Sequence, residues 1–375
     1  MVSVQTIATI VVKVFKIVLN LVIIILYRTG YNGEFLGVGG TWNLNEEKNP
    51  DAEIVASGVI VGYLIYTLVQ IVTFLFGTTE HKRALSEIVM NFVGVFLWIA
   101  VGAVALHYWG GYQGEHQFQF VFAEKQVGLA VGALCVIQGA VYLLDTALSV
   151  MHFTKEMLKL ESIYSGDLIT ISPASKYFLC VDLYAIKIAP LTDNVSEFGG
   201  GARVVWAMSA GDRETEAQGK KEEGSSSEDG RAATFKRNWC IAFRALELIL
   251  AVIAIGLIIG ALYAPQVVQS DHRHIALIYS AYSSFIIITG VLIIARIFGE
   301  SAGWRTSLAF SILGVIMFTA AAAVIFYDWH RSYYANVRPN KSSYDLLISS
   351  GVFAVIDAAV FLLHAFLTFR KDADY

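Results

Sequence analysis

The chain has 375 residues, 56% hydrophobic and only 15% charged, with five prolines, three cysteines and a formal net charge of −4. Soluble domains carry about a quarter charged residues and less than half apolar ones, so this composition argues against a soluble enzyme and against disorder over most of the chain. Three cysteines are too few for a disulfide scaffold, and nothing in the charge suggests a nucleic-acid partner.

A membrane-spanning helix needs about 20 apolar residues to cross about 30 Å of hydrocarbon. Eight stretches qualify: 7–27, 54–77, 88–108, 127–151, 239–263, 275–298, 306–327 and 346–369. Runs such as LVIIIL (21–26) are continuous rather than alternating, which selects helices over barrel strands. The predicted fold is an all-α membrane protein with eight transmembrane helices, arranged as two tandem four-helix bundles. Residues 1–155 form the first unit, 156–237 a polar linker and 238–375 the second unit.

The first stretch is too long for the apolar core of a secretory signal and holds Lys13 and Lys16 within it, so it reads as a retained helix. The loop that follows is rich in glycine (Gly30, Gly33, Gly37, Gly39, Gly40) but has no GxxxxGK[ST] motif. Its glycines suit turns of positive φ. Phe35, Leu36, Trp42 and Leu44 are its candidate partner-binding residues, since loops on a rigid scaffold carry recognition and exposed aromatics anchor contacts. His107 and His116, nine residues apart and without nearby carboxylates, read as solvated. The fourth stretch contains Cys135 and Asp145.

The linker holds Cys180, the sequon Asn194-Val-Ser196 and the run GKKEEGSSSEDG (219–230), which is too polar to bury anything and is expected to be disordered. Cys240, at the start of the fifth stretch, is a candidate palmitoylation site. Arg244 and Glu247 follow it. In DHRH, His272 and His274 offer at most a loose metal pair. Asn340-Lys-Ser342 is a candidate glycosylation sequon, and the last stretch carries Asp357 and His364.

Ionisable groups inside a bilayer are costly and mark either function or internal pairing. Lys13, Lys16, Asp145, Arg244, Glu247 and Asp357 are of this kind. Asp145 is expected to pair with Lys13 or Lys16, and Asp357 with Arg244 or His364. A proton or ion relay would need several acids or histidines along one route, and none is evident. No HExxH, GxSxG or paired metal-ligand motif occurs. The chain is therefore read as a non-enzyme without cofactor or metal.

The two halves resemble each other. VIQGAVYLLD (136–145) and VIDAAVFLLH (355–364) share six of ten residues at an offset of 219, which aligns Asp145 with His364. Gly94, Val95 and Trp109 match Gly314, Val315 and Trp329 at an offset of 220. With eight spans both termini share a side. Lys and Arg near helix ends number ten on that side and seven on the other, so the termini are expected in the cytoplasm.

RTGYNGEFLGVGGTWNLNEEKNPDAEIVASGVIVGYLIYT (28–67), EHKRALSEIVMNFVGVFLWIAVGAVALHYWGGY (80–112) and KQVGLAVGALCVIQGAVYLLDTALSVMH (125–152) carry a family resemblance. Over residues 1–155 the chain resembles the Snakeskin family, four-span proteins of insect smooth septate junctions. The resemblance implies a structural role at the apicolateral plasma membrane, in assembling the occluding junctions and epithelial barrier of midgut and Malpighian tubules. It also implies partners: a single-pass Mesh-like protein, a tetraspanin, and membrane lipid, with self-association as a further option. FRALELILAVIAIGLI (243–258) is similar to the first helix of MARVEL-type proteins. That outline implies membrane trafficking as the second functional reading. A transporter or channel ranks third, because all five prolines lie outside the spans and no broken helix is evident.

Overall fold

The computed structural model describes residues 4–30, 33, 35–38, 50–76, 85–111, 119–164, 226–262, 272–298, 303–333 and 341–370. Among these, regular structure is helical throughout: α1 (Val4–Thr29), α2 (Pro50–Phe76), α3 (Leu85–Gly111), α4 (Gln119–Tyr164), α5 (Ser226–Leu262), α6 (His272–Ile297), α7 (Trp304–Tyr333) and α8 (Lys341–Phe369). All eight are long and apolar enough to cross a membrane. Each contains one of the eight stretches expected from hydropathy, to within a few residues at the ends.

Local chemistry accounts for the boundaries. Pro50 opens α2, where its missing N–H would have no helical partner anyway, and Asp51 and Glu53 follow at the positive end of the helix dipole. Gly30 closes α1 at φ 50°, donating its N–H to the Leu26 carbonyl at 2.9 Å. Two boundaries depart from expectation. Helix α4 runs on to Tyr164 through TKEMLKLE, a run of straight-chain helix formers. Helix α5 begins at Ser226, inside the run expected to be disordered. There SSEDGRAATF sets two acids in the first turn and two alanines in the second, which favours a helix start. The rest of the expected linker lies outside the described residues.

The membrane helices belong to one compact unit, Met1–Ile169 with Trp239–Tyr375. Thr170–Asn238 is a second unit, described only over residues 226–238 at the start of α5. Within the first unit, α1 packs on α2 and α4, and α3 packs on α2 and α4. Likewise α7 packs on α6 and α8, and α5 is tied to α8 by the Ser350 hydroxyl, which donates to the Ala254 carbonyl at 2.9 Å. The two groups of four meet mainly through α2 and α6. These are also the most enclosed spans, with 61% and 67% of their apolar stretches buried against 28–44% in the other six.

Each group has an aromatic centre at corresponding positions. In the first, Tyr63, Trp98 and Tyr142 meet with ring centroids 5.0–6.3 Å apart. In the second, Phe285, Phe318 and Phe361 meet at 5.2–5.7 Å. A glycine on the third helix of each group makes room. A β-carbon at Gly94 would lie 2.8 Å from Tyr63 Cε1, and one at Gly314 would lie 2.7 Å from Phe361 Cδ1. Large apolar side chains such as Phe92, Phe96, Leu143, Leu144, Leu362 and Leu363 point outward and are about half exposed, as a lipid-facing belt requires.

Candidate functional site

The ionisable residues gather into two buried clusters, one per group of helices. In the first, Lys13 and Lys16 lie one turn apart on α1, Glu87 and Asn91 one turn apart on α3, and Gln138, Tyr142 and Asp145 follow helical spacing on α4. Lys13 pairs with Glu87. Lys16 Nζ lies 2.6 Å from Asp145 Oδ2, donates to Asn91 Oδ1 at 2.9 Å, and sits 3.7 Å from the centre of the Tyr142 ring. Asn91 Nδ2 donates to Asp145 Oδ2 at 3.0 Å, and Gln138 Nε2 donates to the Lys16 carbonyl at 3.0 Å. Two cations face two anions, so the cluster is neutral overall.

The second cluster is built from α5, α7 and α8. Arg244 Nη1 lies 3.1 Å from Glu247 Oε2, and Arg244 Nη2 donates to Ser307 Oγ at 2.9 Å. His364 Nδ1 lies 2.6 Å from Glu247 Oε1, with Trp239 and Phe243 against its ring at 5.7 and 5.6 Å. The clusters occupy equivalent positions. Lys13 and Lys16 correspond to Arg244 and Glu247 at an offset of 231, Glu87 and Asn91 to Ser307 and Ser311 at 220, and Gln138 and Asp145 to Asp357 and His364 at 219. The central pair has therefore exchanged chemistry: a base on the first helix with an acid on the fourth has become an acid with a histidine.

These placements correct one expectation. Asp145 pairs with Lys16, one of its two expected partners. Asp357 meets neither Arg244 nor His364: both its oxygens are buried without a hydrogen-bond partner among the described residues. Two turns of α8 separate it from His364, and Glu247 takes both groups meant for it. Glu87, Asn91 and Gln138 were not singled out from the sequence. Glu87 lies in the first turn of α3, where the sequence alone is equally consistent with a solvated carboxylate.

The described part of the first loop folds back onto the helices. The Leu36 N–H donates to the Tyr27 carbonyl at 3.2 Å, and Phe35 sets its edge against the Tyr27 ring at 4.8 Å. The Val38 N–H donates to Glu53 Oε1 at 2.5 Å, while the Tyr27 hydroxyl donates to Glu53 Oε2 at 2.7 Å. Trp109 Nε1 donates to the Gly37 carbonyl at 3.4 Å. Leu36 is thus a buried residue, 7% exposed, and not a surface anchor. Its carbonyl-tied backbone turns the side chain into the core. Trp42 and Leu44 lie outside the described residues.

Over 157 residues the chain is 95% identical to protein snakeskin of Bombyx mori, a match covering 42% of this chain and the whole of that relative. Over 155 residues it is 61% identical to protein snakeskin of Drosophila melanogaster, covering 41% of the chain and 96% of the relative. The chain belongs to the Snakeskin family. Residues 237–370 match a separate family model, a domain of unknown function, DUF7775. No solved structure matches.

The Snakeskin relatives are thus about as long as one group of four helices, and the match leaves the second group outside it. Beyond the clusters, few of the expected site residues come together. His274 Nδ1 lies 2.8 Å from Asp328 Oδ1, and the His272 side chain lies outside the described residues. Among the described residues no group of three His, Cys, Asp or Glu could hold a metal ion. Cys135 is buried and Cys240 half-buried at the start of the membrane part of α5. Cys180, His116, Asn194 and Asn340 lie outside the described residues.

Proposed function

We propose that the chain is a structural component of the smooth septate junction, needed for junction assembly and the paracellular barrier of the gut epithelium. The observation that carries this reading is identity of 61–95% over 96–100% of the length of two proteins named snakeskin. The chemistry of the interior is compatible with a scaffold. Charges in the first cluster are matched within the bundle, where polar groups act as glue between helices rather than as a route for solute. In this reading the chain has no enzymatic activity, both termini are cytoplasmic, and the first loop faces outward. Its proposed partners are a Mesh-like single-pass protein and a tetraspanin.

Immunogold labelling of gut epithelium tests this directly. Label concentrated at apicolateral cell contacts is the expected result. Label confined to intracellular vesicles would favour the trafficking role that the MARVEL-like outline of the second half suggested.

A further inference from the structure

Two relatives are matched over 96–100% of their length by 41–42% of this chain, so a unit like the first group occurs without the second. We propose that the face of α2 carrying Gly58 and Gly62 is a docking surface for a four-helix unit of the second type, and that this pairing holds without the covalent connection.

The contact has three levels. At the end beside the first loop, Arg28 Nη2 donates to Ser280 Oγ at 2.8 Å and to the Ala276 carbonyl at 3.3 Å. On the same side Arg273 Nη2 donates to the Gly33 carbonyl at 3.3 Å. At mid-helix α2 and α6 approach so closely that a β-carbon on Gly58 would lie 2.3 Å from Ser283 Cβ, and one on Gly62 3.1 Å from Ser284 Cα. There Ser284 Oγ donates to the Gly58 carbonyl at 3.4 Å. At the far end Tyr66 stacks on Phe310 of α7, with centroids 5.8 Å apart and planes at 17°.

Apolar helices in lipid gain nothing from hydrophobicity alone, because acyl chains solvate leucine as well as another helix does. Their association rests on close backbone approach and interhelical hydrogen bonds. The α2–α6 contact supplies both, and its small residues come from both partners rather than from one. Arg28 adds direction: a guanidinium at one end finds its acceptors on a helix that presents a serine hydroxyl and the carbonyl one turn before it, which that hydroxyl also bonds. The occupant this face fits is therefore a unit with serines at the positions of Ser280, Ser283 and Ser284. This pairing is independent of the junction role.

The test uses the full chain, with a protease recognition sequence inserted within residues 165–225 and an affinity tag at the amino terminus. The chain is cleaved in native membranes, extracted in mild detergent and captured by the tag. The expected result is recovery of the second half with the first in about equal amount. Gly58→Leu should reduce that recovery about tenfold or more. Gly290→Leu, also on the α2–α6 pair but where a β-carbon meets nothing within 4 Å, should leave it unchanged. Unfolding of the first half is separated from loss of docking by a finer pair. Gly58→Ala should lower recovery, and Ser283→Gly in the same chain, which removes the clashing atom, should restore it. Separation of the unsubstituted halves after cleavage would overturn the proposal, as would an equal loss in Gly58→Ala with and without Ser283→Gly.

Discussion

Lys16 and Asp145 lie 3% and 0% exposed at the side chain, so neither charge reaches water when its partner is removed. Removing one member of a buried pair costs about 3–5 kcal/mol, whereas replacing both with apolar groups is often neutral. Interhelical polar contacts in bilayers are weaker, about 0.6–2 kcal/mol, because the unfolded helices also find partners. Since the Lys16 amine would lose its carboxylate partner inside the bundle, Asp145→Leu is expected to cost about 3 kcal/mol, read as unfolding in mixed micelles. Adding Lys16→Met should recover most of that loss, and a double variant no more stable than the single would contradict the pairing. Asp357 is the opposite case. Its oxygens have no described partner, so Asp357→Asn should change stability by less than about 1 kcal/mol. A loss as large as that of Asp145→Leu would mean a partner outside the described residues. That Asp145 pairs with Lys13 or Lys16 was legible in the sequence, because a charge in a span is costly without an opposite one beside it. The fate of Asp357 was not, since helical spacing ranks residues along one helix but says nothing of distances between helices.

At the scale of the helix, continuous apolar runs and the positions of proline were enough to find all eight spans. Hydropathy alone could not give their ends, because a helix continues past its apolar run wherever the residues favour it, as α4 and α5 do. Nor could it reveal that Leu36 turns inward, since that depends on a backbone hydrogen bond to Tyr27. Close packing inside the first group should be visible as a position-dependent cost of adding one methyl. Gly94→Ala would press on Tyr63 and Tyr142 and is expected to cost about 1–3 kcal/mol. Gly110→Ala, with nothing within 4 Å, should be neutral or stabilising by up to about 1 kcal/mol through helix propensity. Thermal unfolding of the two variants in the same detergent compares them. Equal melting temperatures would argue against the aromatic centre as a packed core.

For the whole molecule, the likeness of the halves was readable as two nearly equal offsets, and similar offsets relate residues of the two polar clusters and the two aromatic centres. Asp145 and His364 already align in the sequence, whereas Lys16 and Glu247, a base and an acid, do not match by residue type. Topology is testable through the two sequons, since glycans are added only on the lumenal side. With cytoplasmic termini, Asn194 stays bare and Asn340 is eligible. A glycosidase-sensitive mass shift lost in Asn194→Gln would invert the topology and move the first loop into the cytoplasm.

A barrier role reads out most directly as paracellular flux. In gut epithelium lacking the protein, an inert, membrane-impermeant tracer should cross from lumen to body cavity, while cell fate and polarity stay normal and re-expression of the full chain closes the leak. Tracer retention in a confirmed null, equal to that of the intact epithelium, would contradict a structural role in the occluding junction.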